Sequence, residues 1–285
     1  MCYPGNGLGF RQMRLDGPES SNVEDRRGRG GGLGGGRVAI GGIGGVLLVV
    51  VSLLHGVDPT EFLQDIDPAA PAQQQRSAGA GKAGPQAGDS GRRFVAQVLG
   101  ETEAVWADEF ARTGRHYDPP TLVLFNGATQ SGCGYAQAQM GPFYCPNDKR
   151  VYIDLDFMAD LQRSLGARGD FAAAYIVAHE VGHHVQNLTG RLHSGGGNAA
   201  SVVMELQADC YAGVWANRAE AARHILEDGD IEEGLNAAAA VGDDRLQRQS
   251  QGRVSPESFT HGSSAQRVAA FRRGMSSGRP AACDA

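Results

Sequence analysis

The sequence predicts an α+β domain that is mainly α-helical and that occupies the second half of the 285-residue chain. Three observations carry this prediction. After residue 92, apolar side chains recur every three or four positions, as they do on the buried face of an amphipathic helix. Two short segments, residues 121–125 and 150–157, are instead apolar and β-favouring or alternate apolar with polar residues. The 42 glycines fall heavily in the first third of the chain, which cannot bury a core.

The first 91 residues are predicted to divide into three parts. Residues 1–37 form a disordered tail rich in Gly and Arg, residues 38–54 form a transmembrane helix, and residues 55–91 form a flexible linker. The middle stretch carries no charge and is about as short as a membrane span can be. Arginines precede it and acidic residues follow it, so we expect a single-pass protein of the cell membrane with a cytoplasmic N-terminus and an extracytoplasmic domain. A cleaved signal peptide and a buried helix are the alternatives.

The charge distribution argues against nucleic acid as a partner. The net charge is −6, and acidic and basic residues are mixed through the folded half without a concentrated basic face. The glycine run near Gly30 lacks the Gly-Lys-Ser/Thr ending of a phosphate-binding loop, and no strand leads into it. The run is therefore interpreted as a spacer, and the oligomeric state stays open.

The cysteines fit an exported domain, because disulfides persist in oxidising compartments. Cys133 and Cys145 are the natural pair, since they flank a short Gly-rich segment with turn-forming residues whose ends could meet as in a hairpin. Cys210 and Cys283 are a second candidate pair, which leaves Cys2 alone. Ordinary buried thiols are the alternative.

The elements of the domain, which is expected to span residues 92–274, follow from local patterns. The second of its helices is the best defined, because Asp170 can act as its N-cap and Gly190 ends it. Residues 275–285 are expected to form a C-terminal tail. The predicted elements are a helix at 92–114, strands at 121–125 and 150–157, and helices at 170–190, 199–222, 231–241 and 263–274.

The best-defined helix contains the segment His179-Glu180-Val181-Gly182-His183. A spacing of four residues puts both imidazoles on one face, one turn apart, so they can share one metal ion. Glu180 projects about 100 degrees round the helix from His179, within reach of a water on that metal. It therefore suits the role of general base.

The next helix carries Glu205 and Asp209, again four residues apart on one face. A catalytic zinc ion wants three protein ligands and one open position, and a carboxylate from an adjacent antiparallel helix can complete the set. Glu205 is the predicted third ligand. Asp209 is predicted to accept the free N–H of a ligating histidine and so fix its tautomer. A solvated helix face is the alternative for both carboxylates.

These segments resemble the neutral zinc metallopeptidase family of bacteria over residues 92–274. The resemblance implies a zincin-like fold, a single N-terminal anchor and peptidase activity. The Glu-x-x-x-Asp arrangement is also similar to the wider gluzincin group, in which the downstream glutamate binds zinc. The segments that carry it are Cys133-Gly134-Tyr135, residues 141–146, residues 151–155, His179-Glu180-Val181-Gly182-His183-His184-Val185-Gln186, residues 205–210 and Phe259-Thr260-His261-Gly262.

Together the residues predict hydrolysis of a protein or peptide substrate with one Zn²⁺ ion per chain. His261, in a Thr-His-Gly turn, is the candidate that stabilises the oxyanion. Other candidates for that role are Tyr144, Tyr152 and Tyr211, although such aromatic residues more often fill a core. Residues 151–155 are expected to hold an extended substrate by strand addition. No role is assigned to His116, His184, His193 or His224.

Two other classes of function stay open. In the first, zinc is structural and the domain is a catalytically silent binding module of the cell envelope. The presence of Glu180 argues against this alternative, because a silent zinc site has no use for a carboxylate beside its ligand. In the second, no metal binds and the chain is a membrane-tethered scaffold. Another divalent metal in place of zinc also stays open.

Overall fold

The structure is a computed structural model that describes residues 13–28, 89–156, 158, 169–192 and 195–284. The predicted transmembrane stretch, residues 38–54, lies outside the described residues, as do His193 and the whole predicted linker apart from residues 89–91. Within the described ranges, no helix is both long enough and apolar enough to cross a membrane.

The described residues form six α-helices and six strands, which confirms a mixed, mainly helical fold. Short 3-10 helices lie at Ala138–Met140, Pro256–Ser258 and Pro280–Cys283. The helices are α1 (Ser90–Arg112), α2 (Asp170–Leu188), α3 (Gly197–Arg223), α4 (Asp230–Ala240), α5 (Asp243–Gln251) and α6 (Ser264–Ser277). The strands are β1 (Val23–Asp25), β2 (Thr121–Phe125), β3 (Ala128–Ser131), β4 (Gly134–Gln137), β5 (Phe143–Cys145) and β6 (Arg150–Asp154).

Four of the strands form one sheet in the order β1-β2-β6-β5. β1, β2 and β6 run parallel, whereas β5 lies antiparallel to β6. Over residues 150–152, β6 has β2 on one side and β5 on the other. The backbone groups of residues 150–152 are therefore paired with strands on both sides. The expectation that residues 151–155 receive a substrate strand is wrong for this part of β6. The edge strand on that side is β5.

The prediction of a disordered tail at residues 1–37 is wrong for residues 13–28. β1 pairs with β2, and Met13 is buried in the core at 6% exposure. A strand of only three residues with one flanking arginine pair gives no periodic signal, and its partner follows nearly a hundred residues later in the sequence. Local sequence reasoning therefore could not find it.

The motif helix α2 lies at the centre of the core. It begins at Asp170 with Gly169 at the N-cap position, so Asp170 is its first residue rather than the predicted cap. Gly182 lets α2 and α3 approach closely, because a Cβ atom at this position would lie only 3.0 Å from the carbonyl oxygen of Ala208. This close approach brings Glu205 of α3 level with the histidines of α2.

Helix α3 is fixed from its other side by α6 and by the C-terminus. A Cβ atom on Gly274 would collide with the backbone of Cys210, so the glycine permits the close crossing of α6 over α3. Cys210 is disulfide-bonded to Cys283, and a second disulfide joins Cys133 at the β3–β4 turn to Cys145 in β5. The prediction that residues 275–285 form a tail is thus wrong: Cys283 is buried and belongs to the domain.

Three carboxyl groups meet where α2 and α4 begin. Ligand atoms of Asp170, Asp230 and Glu233 lie within 4.8 Å of one another. Burial, followed by the neighbouring carboxylates, raises the pKa of Glu233 to about 7, and burial also raises the pKa of Asp230 to about 6. The Oε2 atom of Glu233 is buried without a hydrogen-bond partner among the described residues.

Glu233→Gln is therefore expected to stabilise the fold at pH 8 and to have little effect at pH 5. The carboxyl group has a higher pKa in the native chain than in the unfolded chain, so its favourable contribution is complete below about pH 4.5. That contribution is lost as pH rises through about 7. Because solvent screens this partly exposed carboxyl group, the expected increase in the free energy of unfolding at pH 8 is on the order of 1 kcal/mol. Urea unfolding at both pH values checks it, with the exposed neighbour Glu232→Gln as control; an equal gain at both pH values would contradict the assignment.

Candidate metal centre

The two histidines of α2 lie side by side in a buried position. Their ring centroids are 4.8 Å apart and nearly perpendicular, as expected for residues one helical turn apart. His179 is only 7% exposed. Apolar neighbours such as Val177, Val181 and Val185 bury the rest of the helix. The sequence thus fixes both imidazoles on a rigid element.

Glu205 of α3 places its carboxylate between the two rings. Oε2 lies 3.2 Å from His179 Nε2, and Oε1 lies 3.5 Å from His183 Nε2. Ligand atoms of the three residues lie within 4.8 Å of one another. Zinc bonds to nitrogen and oxygen of about 2.0–2.2 Å at tetrahedral angles give donor separations of roughly 3.3–3.5 Å. The two imidazoles and the carboxylate are therefore close enough together to hold one zinc ion.

Each histidine uses its other ring nitrogen to hold this orientation. His179 Nδ1 lies 2.8 Å from Asp209 Oδ1, and His183 Nδ1 lies 2.9 Å from Gln186 Oε1. Gln186 Nε2 donates to the carbonyl oxygen of Met204 at 2.7 Å, so its amide oxygen faces the ring. Both acceptors favour the Nδ1–H tautomer, which leaves the two Nε2 lone pairs for a metal.

Arg267 of α6 holds Asp209 in place. Its Nε and Nη2 atoms donate to the two carboxylate oxygens of Asp209 at 2.8 Å each, and Nη2 lies 3.3 Å from the Tyr175 hydroxyl. The Tyr175 hydroxyl also donates to Asp209. Although burial alone would raise the pKa of Asp209, Arg267 and His179 lower it to about 2. Asp209 is therefore a fully ionised, doubly fixed acceptor.

The acidic side chains raise the pKa values of both histidines. Burial opposes the charged form of His179, but the charge and hydrogen bond of Asp209, with Glu205, raise its pKa to about 10. The pKa of His183 is likewise raised by Glu205 against the effect of burial. Since a ligating histidine must be neutral, protons and a metal ion compete for the same nitrogens. Metal affinity is therefore expected to fall as pH falls.

Glu180 lies next to His179 on α2 and is 7% exposed. Burial raises the pKa of its carboxyl group, with a further contribution from Glu205, although the two histidines act in the opposite direction. A carboxylate with a raised pKa beside a metal site is a better proton acceptor than an exposed one. Its position and environment suit the predicted role of general base.

His261 lies on the turn between α5 and α6, close enough to Glu205 for their charges to interact. Burial alone would raise the pKa of Glu205, but the imidazoles of His183 and His261 hold it well below its usual value. Asp243 builds the turn: its Oδ2 accepts the backbone N–H groups of residues 260–262 at 2.7–3.0 Å, and its Oδ1 lies 3.3 Å from His261 Nδ1. These contacts fix the ring through Nδ1.

The other candidate side chains are occupied elsewhere. The Tyr152 hydroxyl donates to Asp148, and the Tyr211 hydroxyl accepts from Arg191. The Tyr144 hydroxyl lies 3.0 Å from His184 Nδ1 and accepts from Asn187. His184, which sequence reasoning left without a role, is fully buried, and its Nε2 lies 2.7 Å from the carbonyl oxygen of Asp118. It attaches β5 to the motif helix.

Sequence reasoning missed Arg267, Asp243 and the contact made by Gln186. One signal was available for Arg267, since it precedes Ala270, Phe271 and Gly274 at spacings of three, four and seven, on the buried face of α6. Asp243 gave none, because its partners lie 17 to 19 residues later in an irregular turn.

Comparison with known proteins decides the family. The family described as "Putative neutral zinc metallopeptidase" matches residues 13–285. The chain belongs to this family. Uncharacterized protein YpfJ of Escherichia coli K12 is 47% identical over 282 residues, which cover 93% of this chain and 96% of YpfJ. Uncharacterized protein Rv2575 of Mycobacterium tuberculosis is 49% identical over 183 residues, 59% of this chain and 62% of that protein. No solved structure matches the chain.

In this neutral zinc metallopeptidase family member, Arg267→Lys is expected to speed zinc loss. Lysine keeps the charge but cannot reproduce the two parallel hydrogen bonds that Nε and Nη2 donate to Asp209, so the orientation of His179 is less well defined. Loss of such supporting contacts typically weakens metal affinity about 10–100-fold. The rate at which zinc transfers to a coloured chelator measures this loss, and the exposed Arg272→Lys on the same helix is the control. Unchanged transfer in Arg267→Lys would contradict the assignment.

Proposed function

We propose that this family member is a zinc-dependent peptidase that hydrolyses peptide bonds in a protein or peptide substrate. The observation that carries the proposal is the set of three donor side chains, His179, His183 and Glu205, whose ligand atoms lie within 4.8 Å of one another beside the buried carboxylate of Glu180. Among the described residues, no fourth His, Cys, Asp or Glu joins this group. Three protein donors are typical of catalytic zinc, whereas structural zinc usually has four.

The roles follow from position and charge. His179, His183 and Glu205 would hold a zinc ion, which would act as a Lewis acid toward the peptide carbonyl and would lower the pKa of water. Glu180 accepts the proton of the attacking water and then donates it to the leaving amine. His261, fixed through its Nδ1 atom, donates to the developing oxyanion. Asp209 and Gln186 keep the ligating rings oriented.

The substrate is proposed to lie along β5 in an extended conformation. β5 is an edge strand whose outer side has no partner strand among the described residues, so its backbone groups can accept a further strand. Contacts of Tyr144 with His184 and Asn187 hold this edge against the motif helix. Recognition through the backbone leaves the sequence preference to side-chain pockets.

His261→Ala is expected to lower kcat about 10²–10³-fold, the usual effect of removing one oxyanion donor. Zinc content should stay unchanged, because His261 is not among the three proposed ligands. Steady-state cleavage of a fluorogenic peptide measures the rate, with the exposed His224→Ala as control. A variant that loses zinc together with activity would instead make His261 part of the metal centre.

Metal removal tests the proposal itself. The purified full-length chain should cleave a peptide library, lose this activity on dialysis against a chelator, and regain it with one equivalent of Zn²⁺. Bound zinc without cleavage of any library member would favour a silent binding module instead. Membrane attachment through residues 38–54 and an oxidising location for the two disulfides remain part of the proposal.

A further inference from the structure

The N-terminal segment, defined as residues 13–28, is built into the domain on its sheet side. Val23, Glu24 and Asp25 pair in register with Leu122, Val123 and Leu124 of β2. The ladder continues at both ends, where Leu122 N donates to Asn22 O at 2.8 Å and Arg26 N donates to Leu124 O at 2.8 Å. β1 therefore completes the sheet along the edge opposite β5.

The same segment is also fixed against α1. Ser20 N donates to the carbonyl oxygen of Ala96 at 2.9 Å, and the side chains of Ser20 and Asn22 both donate to Glu103. Gly100 permits this contact, because a Cβ atom there would lie 2.6 Å from the carbonyl oxygen of Pro18. Backbone groups of β2 and α1 and the half-buried carboxylate of Glu103 thus find hydrogen-bond partners in the segment.

At its N-terminal end, the segment contacts α2 and the turn after α3. Met13 N donates to Asp170 Oδ2 at 2.8 Å, and Arg14 N donates to the carbonyl oxygen of Ile225 at 2.9 Å. The Arg14 guanidinium also pairs with Glu227 at 2.9 Å. Because it contacts β2, α1, α2 and the turn at Ile225, the N-terminal segment is a structural part of the domain.

The last residues of the N-terminal segment lie next to the residue that precedes α1. Arg27 Nη1 pairs with Asp89 Oδ2 at 2.5 Å, while Arg27 Nη2 pairs with Asp25 Oδ2 at 2.6 Å. Asp89 also caps α1 by accepting the N–H of Arg92 at 3.0 Å. Arg27 and Asp89, which flank residues 29–88, are therefore joined by a direct ion pair, although the predicted membrane span lies between them in the sequence.

We propose that the N-terminal segment and the catalytic domain lie on the same side of any membrane that the chain meets. If residues 38–54 crossed a membrane once, Arg27 and Asp89 would lie on opposite faces of a hydrocarbon layer of about 30 Å. The Arg27–Asp89 pair and the β1–β2 ladder cannot form across that distance. Docking of the segment and a single-pass arrangement with the N-terminus opposite the domain exclude each other.

The docked segment is proposed to be the chain's own. Its last residues lie beside the first residues of α1, so no long span is needed to connect them in one chain. This proposal rests on contacts remote from the metal ligands and does not depend on peptidase activity.

The first test is the topology of the full-length chain, carrying a different epitope tag at each terminus. Spheroplasts are treated with protease, and each tag is followed by immunoblot, with lysed spheroplasts as the control for complete digestion. We expect both tags to be digested or both to be protected. Digestion of only one tag would overturn the proposal.

A cross-link tests the docking itself. In a Cys2→Ser background, Arg27→Cys and Asp89→Cys are combined and treated in intact cells with a short bis-maleimide, with each single cysteine variant as control. A protease site is inserted after residue 75. After cleavage at that site, the two fragments should remain joined within one chain. A cross-linked dimer would show that a second copy supplies the segment, and fragments that separate would show that it is not docked; either result overturns the proposal.

Discussion

Glu180→Gln is expected to lower peptide cleavage by about 10²–10⁴-fold, the usual contribution of a general base. The amide fills the same buried space but cannot accept the proton of an attacking water. Zinc binding should survive, because the three proposed ligands, His179, His183 and Glu205, are unchanged. Cleavage assays and zinc analysis on the same preparation measure both effects.

The variant also separates two explanations of inactivity. If Glu180→Gln keeps zinc and the fold but cleaves at the unmutated rate, another group is the base and the assignment fails. If it loses zinc, the carboxylate belongs to the metal centre. The expected combination is retained zinc and lost cleavage.

Glu205→Ala is expected to lose zinc as well as activity. The change removes the donor that lies 3.2 Å and 3.5 Å from the two imidazole Nε2 atoms, and it leaves two histidines as the only ligands. Because loss of a supporting contact alone costs about 10–100-fold in affinity, loss of a ligand should cost more than roughly 100-fold. Competition with a chelator of known affinity measures it.

Circular dichroism supplies the control for Glu205→Ala. Helix α3 is held in place by its close packing against α6 at Gly274, so the helix content of Glu205→Ala should not change. Asp209→Asn provides a matched comparison, since it removes a supporting charge and keeps all three proposed ligands. A Glu205→Ala variant that binds zinc as tightly as the unmutated chain would remove Glu205 from the ligand set.

The sequence predicted the elements whose signal is local. The two helices that carry His179, His183 and Glu205 follow from apolar periodicity, and a spacing of four residues places each pair of polar side chains on one face. The structure brings together the residues that these patterns had selected. Their roles as metal ligands remain predictions for the experiments above.

The missed features depend on pairings between distant parts of the chain. Arg267 lies 58 residues after Asp209, and no local pattern indicates that α6 would bring its guanidinium to that carboxylate. The N-terminal segment has a glycine-rich, charged context that is typical of disorder, and only its pairing with β2 gives it structure. The edge position of β5 likewise depends on sheet order, which strand patterns alone do not determine.

X-ray absorption at the zinc edge of the purified full-length chain tests the central claim most directly. We expect about one zinc ion per chain, with only nitrogen and oxygen donors at about 2.0–2.2 Å and the outer-shell scattering of two imidazoles. The cysteines at 133, 145, 210 and 283 are all disulfide-bonded and so cannot serve as thiolate ligands. A chain without zinc, or a zinc ion with sulfur donors at about 2.3 Å, would contradict the metal centre proposed here.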